Sequence, residues 1–182
     1  KGIEAQILEQ NDTISRRATT FLLDDKALEP YHNAINEKQK TLEELKKVIE
    51  IKALEEEVNK IAEDLELLID IVSNLDIEDT SHSTKIIENI SLIFATINQV
   101  KAAIKNKLKA VGKKEAQADF TAQLKLIDQS IINYIDIANT PEKCDEFLTK
   151  VSIQLEELEG KFSDFEEYIS EIIEKREEVY SA

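Results

Sequence analysis

Apolar positions recur in alternating steps of four and three along most of this chain, the spacing of a buried helix seam. The longest such stretch passes through Cys144, Leu148, Val151, Leu155, Leu158, Phe162, Phe165, Ile169, Ile172 and Val179, interrupted only by Arg176. Thr140, Pro141 and Glu142 precede it, supplying an N-cap, a first-turn proline and an acid at the positive end of the helix dipole. The pattern predicts one helix over 141–180, about 60 Å long at 1.5 Å per residue.

Upstream, the same reading predicts three more long helices. Over 31–75, Ile35, Leu42, Leu45 and Ile49 mark one seam, and Leu54, Val58, Ile61, Leu65, Leu68, Val72 and Leu75 mark another. The step from Ile49 to Leu54 is too long for the heptad and reads as a stutter. Over 84–111 the seam is Ile86, Ile90, Ile93, Ile97, Val100, Ile104, Leu108 and Val111. Gly112 follows a lysine-rich turn, the signature of a helix end. The next apolar set, Phe120, Leu124, Ile127, Ile131, Tyr134 and Ala138, lies off the line of that seam, so a turn is expected near Gly112 and a further helix over 115–139. Residues 1–30 form a looser N-terminal helical segment with Ile3, Ile7, Leu8, Ile14, Ala18, Phe21 and Leu22, ending in a turn over 24–30 at Pro30. Asp76 to His82 reads as a polar connection, with Ser81 or Ser83 as the next cap.

Helices this long need neighbours, and short connections make those neighbours antiparallel. Near the connecting ends the apolar face widens to include Ile69, Ile71, Ile87, Phe94, Ile132, Ile135 and Phe147, which suits a bundle core; elsewhere it narrows to a two-helix seam. The expected fold is all-α: a long-helix antiparallel coiled-coil stalk ending in a four-helix bundle, as one elongated domain over 1–182. The chain starts at Lys1 with no Met and ends with the heptad still running, so it reads as a piece excised from a larger protein.

Composition narrows the function classes. Three Gly and two Pro suit long helices. Lys+Arg 23 against Asp+Glu 38 gives −15, which argues against a general nucleic-acid or anionic-membrane surface. No apolar run is long enough to span a bilayer, and no signal peptide is visible. A single cysteine cannot form an internal disulfide and fits a cytoplasmic location. Gly112-Lys113 and Gly160-Lys161 lack the rest of a phosphate-binding loop. His32 and His82 have no metal-ligand spacing, Cys144 sits on the seam as a buried thiol, and Glu156-Glu157 and Glu166-Glu167 belong to a solvated acidic face. No catalytic, cofactor-binding or metal residue, and no small-molecule substrate, is expected.

One constellation stands apart. Lys101, Lys105, Lys107, Lys109, Lys113 and Lys114 occupy a stretch with no acid between Ala95 and Lys114. Clustered lysines can contact DNA, RNA or an acidic partner by releasing phosphate counterions. They can equally complement a helix C-terminus and face the acidic 141–180 helix, where 13 acids outnumber five bases between Glu142 and Glu178. No aromatic interleaves them and no Arg offers base readout, which favours the structural reading.

Three stretches carry a family resemblance: Leu75-Asp76-Ile77-Glu78-Asp79-Thr80; Asn139-Thr140-Pro141-Glu142-Lys143-Cys144-Asp145; and Gln154 to Glu159 through Phe162 and Phe165 to Lys175-Arg176-Glu177-Glu178-Val179-Tyr180. Together they resemble the coiled-coil region of large bacterial proteins labelled DNA-repair ATPases, best over 75–182. That family carries an AAA-type ATPase domain elsewhere in the chain, and its ATPase motifs have no counterpart here. The resemblance implies a non-catalytic scaffold and interaction arm, working through protein partners or self-association. The alternative is a nucleic-acid-binding arm using Lys101–Lys114.

Overall fold

The computed structural model describes residues 2–24, 26–75 and 77–181. Lys1, Asp25 in the expected first turn, Asp76 at the head of the expected polar connection, and Ala182 lie outside the described residues. The fold is all-α, with six helices among the described residues: α1 (Gly2–Leu23), α2 (Glu29–Glu44), α3 (Val48–Ser73), α4 (Thr80–Ile137), α5 (Pro141–Lys161) and α6 (Glu166–Ser181). Where one elongated domain is expected, the chain divides into two compact units, Lys1–Val111 and Gly112–Ala182. No described helix is long and apolar enough to cross a membrane.

The first unit is built on α2, α3 and the 80–111 part of α4. Its core is an aliphatic cluster in which Ile35, Ile51, Val58, Leu65, Ile86, Ile90, Ile93, Ile97 and Ile104 are all fully buried. With Val100 between Ile97 and Ile104, the α4 members keep the four-three spacing throughout, so one helix face supplies an unbroken aliphatic row. Each such side chain contributes about 1.5–3 kcal/mol when fully buried.

The expected single helix over 31–75 is a helical hairpin. Leu45 (ψ 136°) and Lys47 (ψ 140°) are extended, and α3 folds back along α2 so that Lys38 pairs with Glu57 across the two. The reversal lies ahead of Ile49, and the long step from Ile49 to Leu54 falls inside α3, where Ile49 is exposed and Ile51 carries the second seam inward. Lys107 of α4 donates to the carbonyl of Glu43 at 3.1 Å, satisfying one of the carbonyls that the last turn of α2 leaves without an internal partner. α4 is capped by Asp79, where Ser81 or Ser83 is expected: the Ser81 N–H donates to Asp79 Oδ1 at 2.8 Å. Hydrogen bonds from the Ser81 side chain and N–H hold the Asp79 carboxyl below its ordinary range. α1 joins this unit through Leu22, with Ser15 and Thr19 also buried.

The second unit contains residues 112–137 of α4 with α5 and α6. Here too the expected long helix, 141–180, is a hairpin, broken between Lys161 and Glu166. Phe162 and Phe165, expected as successive seam positions, instead gather at the turn. Phe162 meets Phe120 edge-on at 5.3 Å, Phe120 stacks on Tyr168 at 4.3 Å, and Phe165 stacks on Tyr168 at 5.1 Å. Val151, Leu155, Leu158, Ile127 and Ile172 complete this core. Lys161 of α5 pairs with Asp119 of α4 at 2.6 Å, and Lys175 of α6 with Asp128 of α4 at 2.9 Å. Arg176, the interruption in the seam, is taken up by Glu159 of α5 at 2.8 Å.

These hairpins replace the expected stalk. Residues 31–44 return along α3 in the first unit, and 166–181 return along α5 in the second. The faces expected to close one four-helix bundle are divided between two clusters, and Ile71, Ile87, Ile132 and Ile135 from the widened face are exposed. The turn expected near Gly112 does not occur. α4 is helical through Gly112, and no described glycine has a positive φ of the kind a helix-ending glycine adopts.

Candidate interaction surface

With the helix unbroken at Gly112, the six lysines do not lie at a helix C-terminus, and that part of the structural reading is withdrawn. Lys101, Lys105, Lys107 and Lys109 belong to the first unit, Lys113 and Lys114 to the second. They do not act as one set. Lys107 is half-buried and committed to Glu43 on α2. Lys101, Lys105 and Lys109 stand at successive i, i+4 positions and form one row on α4, with Lys105 and Lys109 exposed and Lys101 half-buried. Among the described residues, no carboxylate forms an ion pair with Lys101, Lys105, Lys109, Lys113 or Lys114. A row of ammonium groups with no carboxylate against them has the charge to attract a phosphate or a carboxylate.

Cys144, expected to be buried, is exposed, with its Sγ 3.8 Å from the carbonyl of Ala138. The reason is local: Cys144 lies in the first turn of α5, ahead of the first fully packed position at Val151. His32 is exposed, and His82 Nε2 lies 3.8 Å from Asp79 as part of the α4 cap. No group of three His, Cys, Asp or Glu side chains among the described residues is arranged to hold a metal. Glu156, Glu157, Glu166 and Glu167 are exposed.

A feature with no counterpart in the sequence reading is an apolar groove of ≈ 280 Å³ in the second unit. Ile131, Tyr134, Phe147, Val151, Val179 and Tyr180 line it, with Tyr134 and Phe147 stacked at 4.4 Å. Tyr180 OH and Ser152 Oγ share a hydrogen bond of 2.9 Å that ties α6 to α5 beside it. The sequence signal was the aromatic pair flanking the Thr140-Pro141 cap, since a short turn there sets Tyr134 against Phe147.

Comparison with known proteins adds one match. Residues 26–110 are similar to a family described as a domain of unknown function (DUF7902), a span that takes in α2, α3 and α4 as far as the lysine row. No curated protein matches the chain, and no solved structure matches it.

Proposed function

We propose that this chain is a non-catalytic helical scaffold and interaction arm of a larger, DNA-repair-ATPase-like protein. One observation carries the reading: the charged side chains that reach another helix are spent on joining helices. Lys38, Lys107, Lys161, Lys175 and Arg176 each tie one element of a unit to another. The resemblance to the ATPase family adds its own support. The Thr140-Pro141-Glu142-Lys143 opening that carries it works as a helix cap, Thr140 Oγ1 accepting from the Lys143 N–H at 3.3 Å. An exposed single thiol at Cys144 suits a reducing compartment, and the reading includes a cytoplasmic location.

The second reading, a nucleic-acid-binding arm, is favoured by the unpaired row Lys101, Lys105 and Lys109. Anisotropy of labelled double- and single-stranded DNA, titrated with salt, separates the two. A scaffold leaves the anisotropy flat even at low salt. A binding arm gives log–log salt dependence with a slope of about −3 for three phosphate contacts, abolished in Lys101→Glu/Lys105→Glu/Lys109→Glu. Salt-sensitive binding lost in that variant would replace the scaffold reading.

A further inference from the structure

We propose that the turn of α4 over 112–115 is a charge-controlled switch: it opens locally, and anions held on the lysine row close it. The inference goes beyond the scaffold reading and does not rest on it.

α4 supplies both cores but is not supported along its whole length. Ile104 is its last fully buried side chain in the first cluster, and Leu108 and Val111 pack partly against that cluster. Ala116 is the first α4 residue packed against the second cluster, and Phe120 is the first one buried there. Residues 112–115 belong to neither cluster, and Lys113, Lys114 and Glu115 are exposed. Helical stability in a protein comes mostly from packing of an apolar face, and a short stretch of helix without it is marginal in water. This stretch also begins with Gly112, the poorest helix former after proline.

Charge weakens the same stretch. Lys101, Lys105, Lys109 and Lys113 follow one another at i, i+4 spacing, so the pairs 101/105, 105/109 and 109/113 each set ammonium beside ammonium. No acid lies between Ala95 and Lys114 to interrupt them. Among the described residues, no ion pair neutralises any of the four. Like charges at this spacing destabilise a helix, and they are held together only while the helix is formed. Opening the turn at 112–115 therefore relieves repulsion. A phosphate or carboxylate seated between two of these lysines removes the same repulsion from the closed state, so it binds the closed helix better and draws the equilibrium toward it. The attractive pairs that join helices, Lys161 to Asp119 and Lys175 to Asp128, respond to salt in the opposite sense.

Amide hydrogen exchange on the whole chain, read residue by residue, tests the switch. Rates are taken as protection relative to an unstructured peptide of the same sequence at the same salt, which removes the direct effect of charge on exchange chemistry. At about 0.01 M chloride, amides 112–118 should be protected about ten-fold less, or lower still, than those of 90–104 and 120–131. Raising chloride to about 1 M shortens the screening length from about 30 Å to about 3 Å, below the spacing of adjacent lysines. Protection at 112–118 should then rise by roughly three- to ten-fold, the combined weight of the like-charge pairs, with no such rise in either core. Inorganic tripolyphosphate at matched ionic strength should raise it further. Lys105→Gln/Lys109→Gln/Lys113→Gln should raise low-salt protection by a similar factor and remove most of the response to salt and tripolyphosphate. Gly112→Ala should raise it about five-fold and leave the salt response in place, which separates the glycine's part from that of charge. Protection at 112–118 equal to that of the cores, no rise with salt, a response unaltered in the glutamine variant, or tripolyphosphate without added effect would each overturn the switch. None of these readouts involves DNA, so they stand or fall separately from the anisotropy titration.

Discussion

Lys105 and Lys107 are two positions apart on α4, yet one is exposed and the other caps a neighbouring helix. The difference is angular: two residues turn the helix by about 200°, which carries Lys107 to the side that faces the end of α2. A run of six lysines therefore cannot be treated as one patch. Asp119 shows the same residue-scale logic with a measurable consequence. Lys161 donates to it across the α4–α5 interface and Gln123 adds a second hydrogen bond at 2.8 Å. Those bonds, Lys161 first, hold the Asp119 carboxyl below its ordinary range. A carboxyl depressed in the folded state adds stability at pH above its unfolded value, and that stability is lost as the pH falls through the lower folded value. Lys161→Met should raise the Asp119 midpoint in a carboxyl NMR titration and shrink the part of the second unit's stability that is lost in acid. An unmoved midpoint would mean that the pair is not formed in solution.

At the scale of elements, the apolar spacing located nearly every buried seam residue, missed two chain reversals and predicted one that does not occur. The reason is physical. Heptad spacing reports which face of a segment is buried, and it gives the same pattern whether the partner is another helix or the second arm of a hairpin. Between Leu45 and Lys47 nothing in the sequence breaks a helix; the reversal follows from Ile51 and Leu54 packing into the same core as Ile35 and Leu42. Between Phe162 and Glu166 a signal was present, because Ser163 and Asp164 precede Glu166 and Glu167 at capping spacing. At Gly112 the opposite error arose. The change of buried face is real, but a long helix can pass from one core to another without a turn, and glycine costs only about 1 kcal/mol against alanine inside it. Gly112→Pro separates these descriptions. In a continuous α4 it removes a hydrogen bond and clashes with the preceding turn, costing about 3 kcal/mol or more in a thermal or denaturant melt. In a turn it would be nearly silent, and a silent result would restore the break.

For the whole molecule, the separation into two cores sets what each part can do alone. The first cluster draws its fully buried side chains from α2, α3 and α4 as far as Ile104, with Leu108 and Val111 packed at its edge. The family match begins at residue 26, after α1, and stops at 110. Two independent boundaries, one of packing and one of sequence similarity, thus fall within a residue of each other at the end of the aliphatic row. The candidate surfaces were only half legible beforehand. The lysine row could be read from charge alone, whereas the exposed stripe of α1 could not: Ile3, Ile7, Ile14 and Phe21 look like any seam until Ser15 and Thr19 are seen packed in their place. A fragment of residues 26–111 omits that stripe and keeps nearly all of the first core. It should hold its helical circular dichroism and melt in one cooperative step. A broad, non-cooperative melt would mean that the aliphatic core needs α1 or the second unit to close.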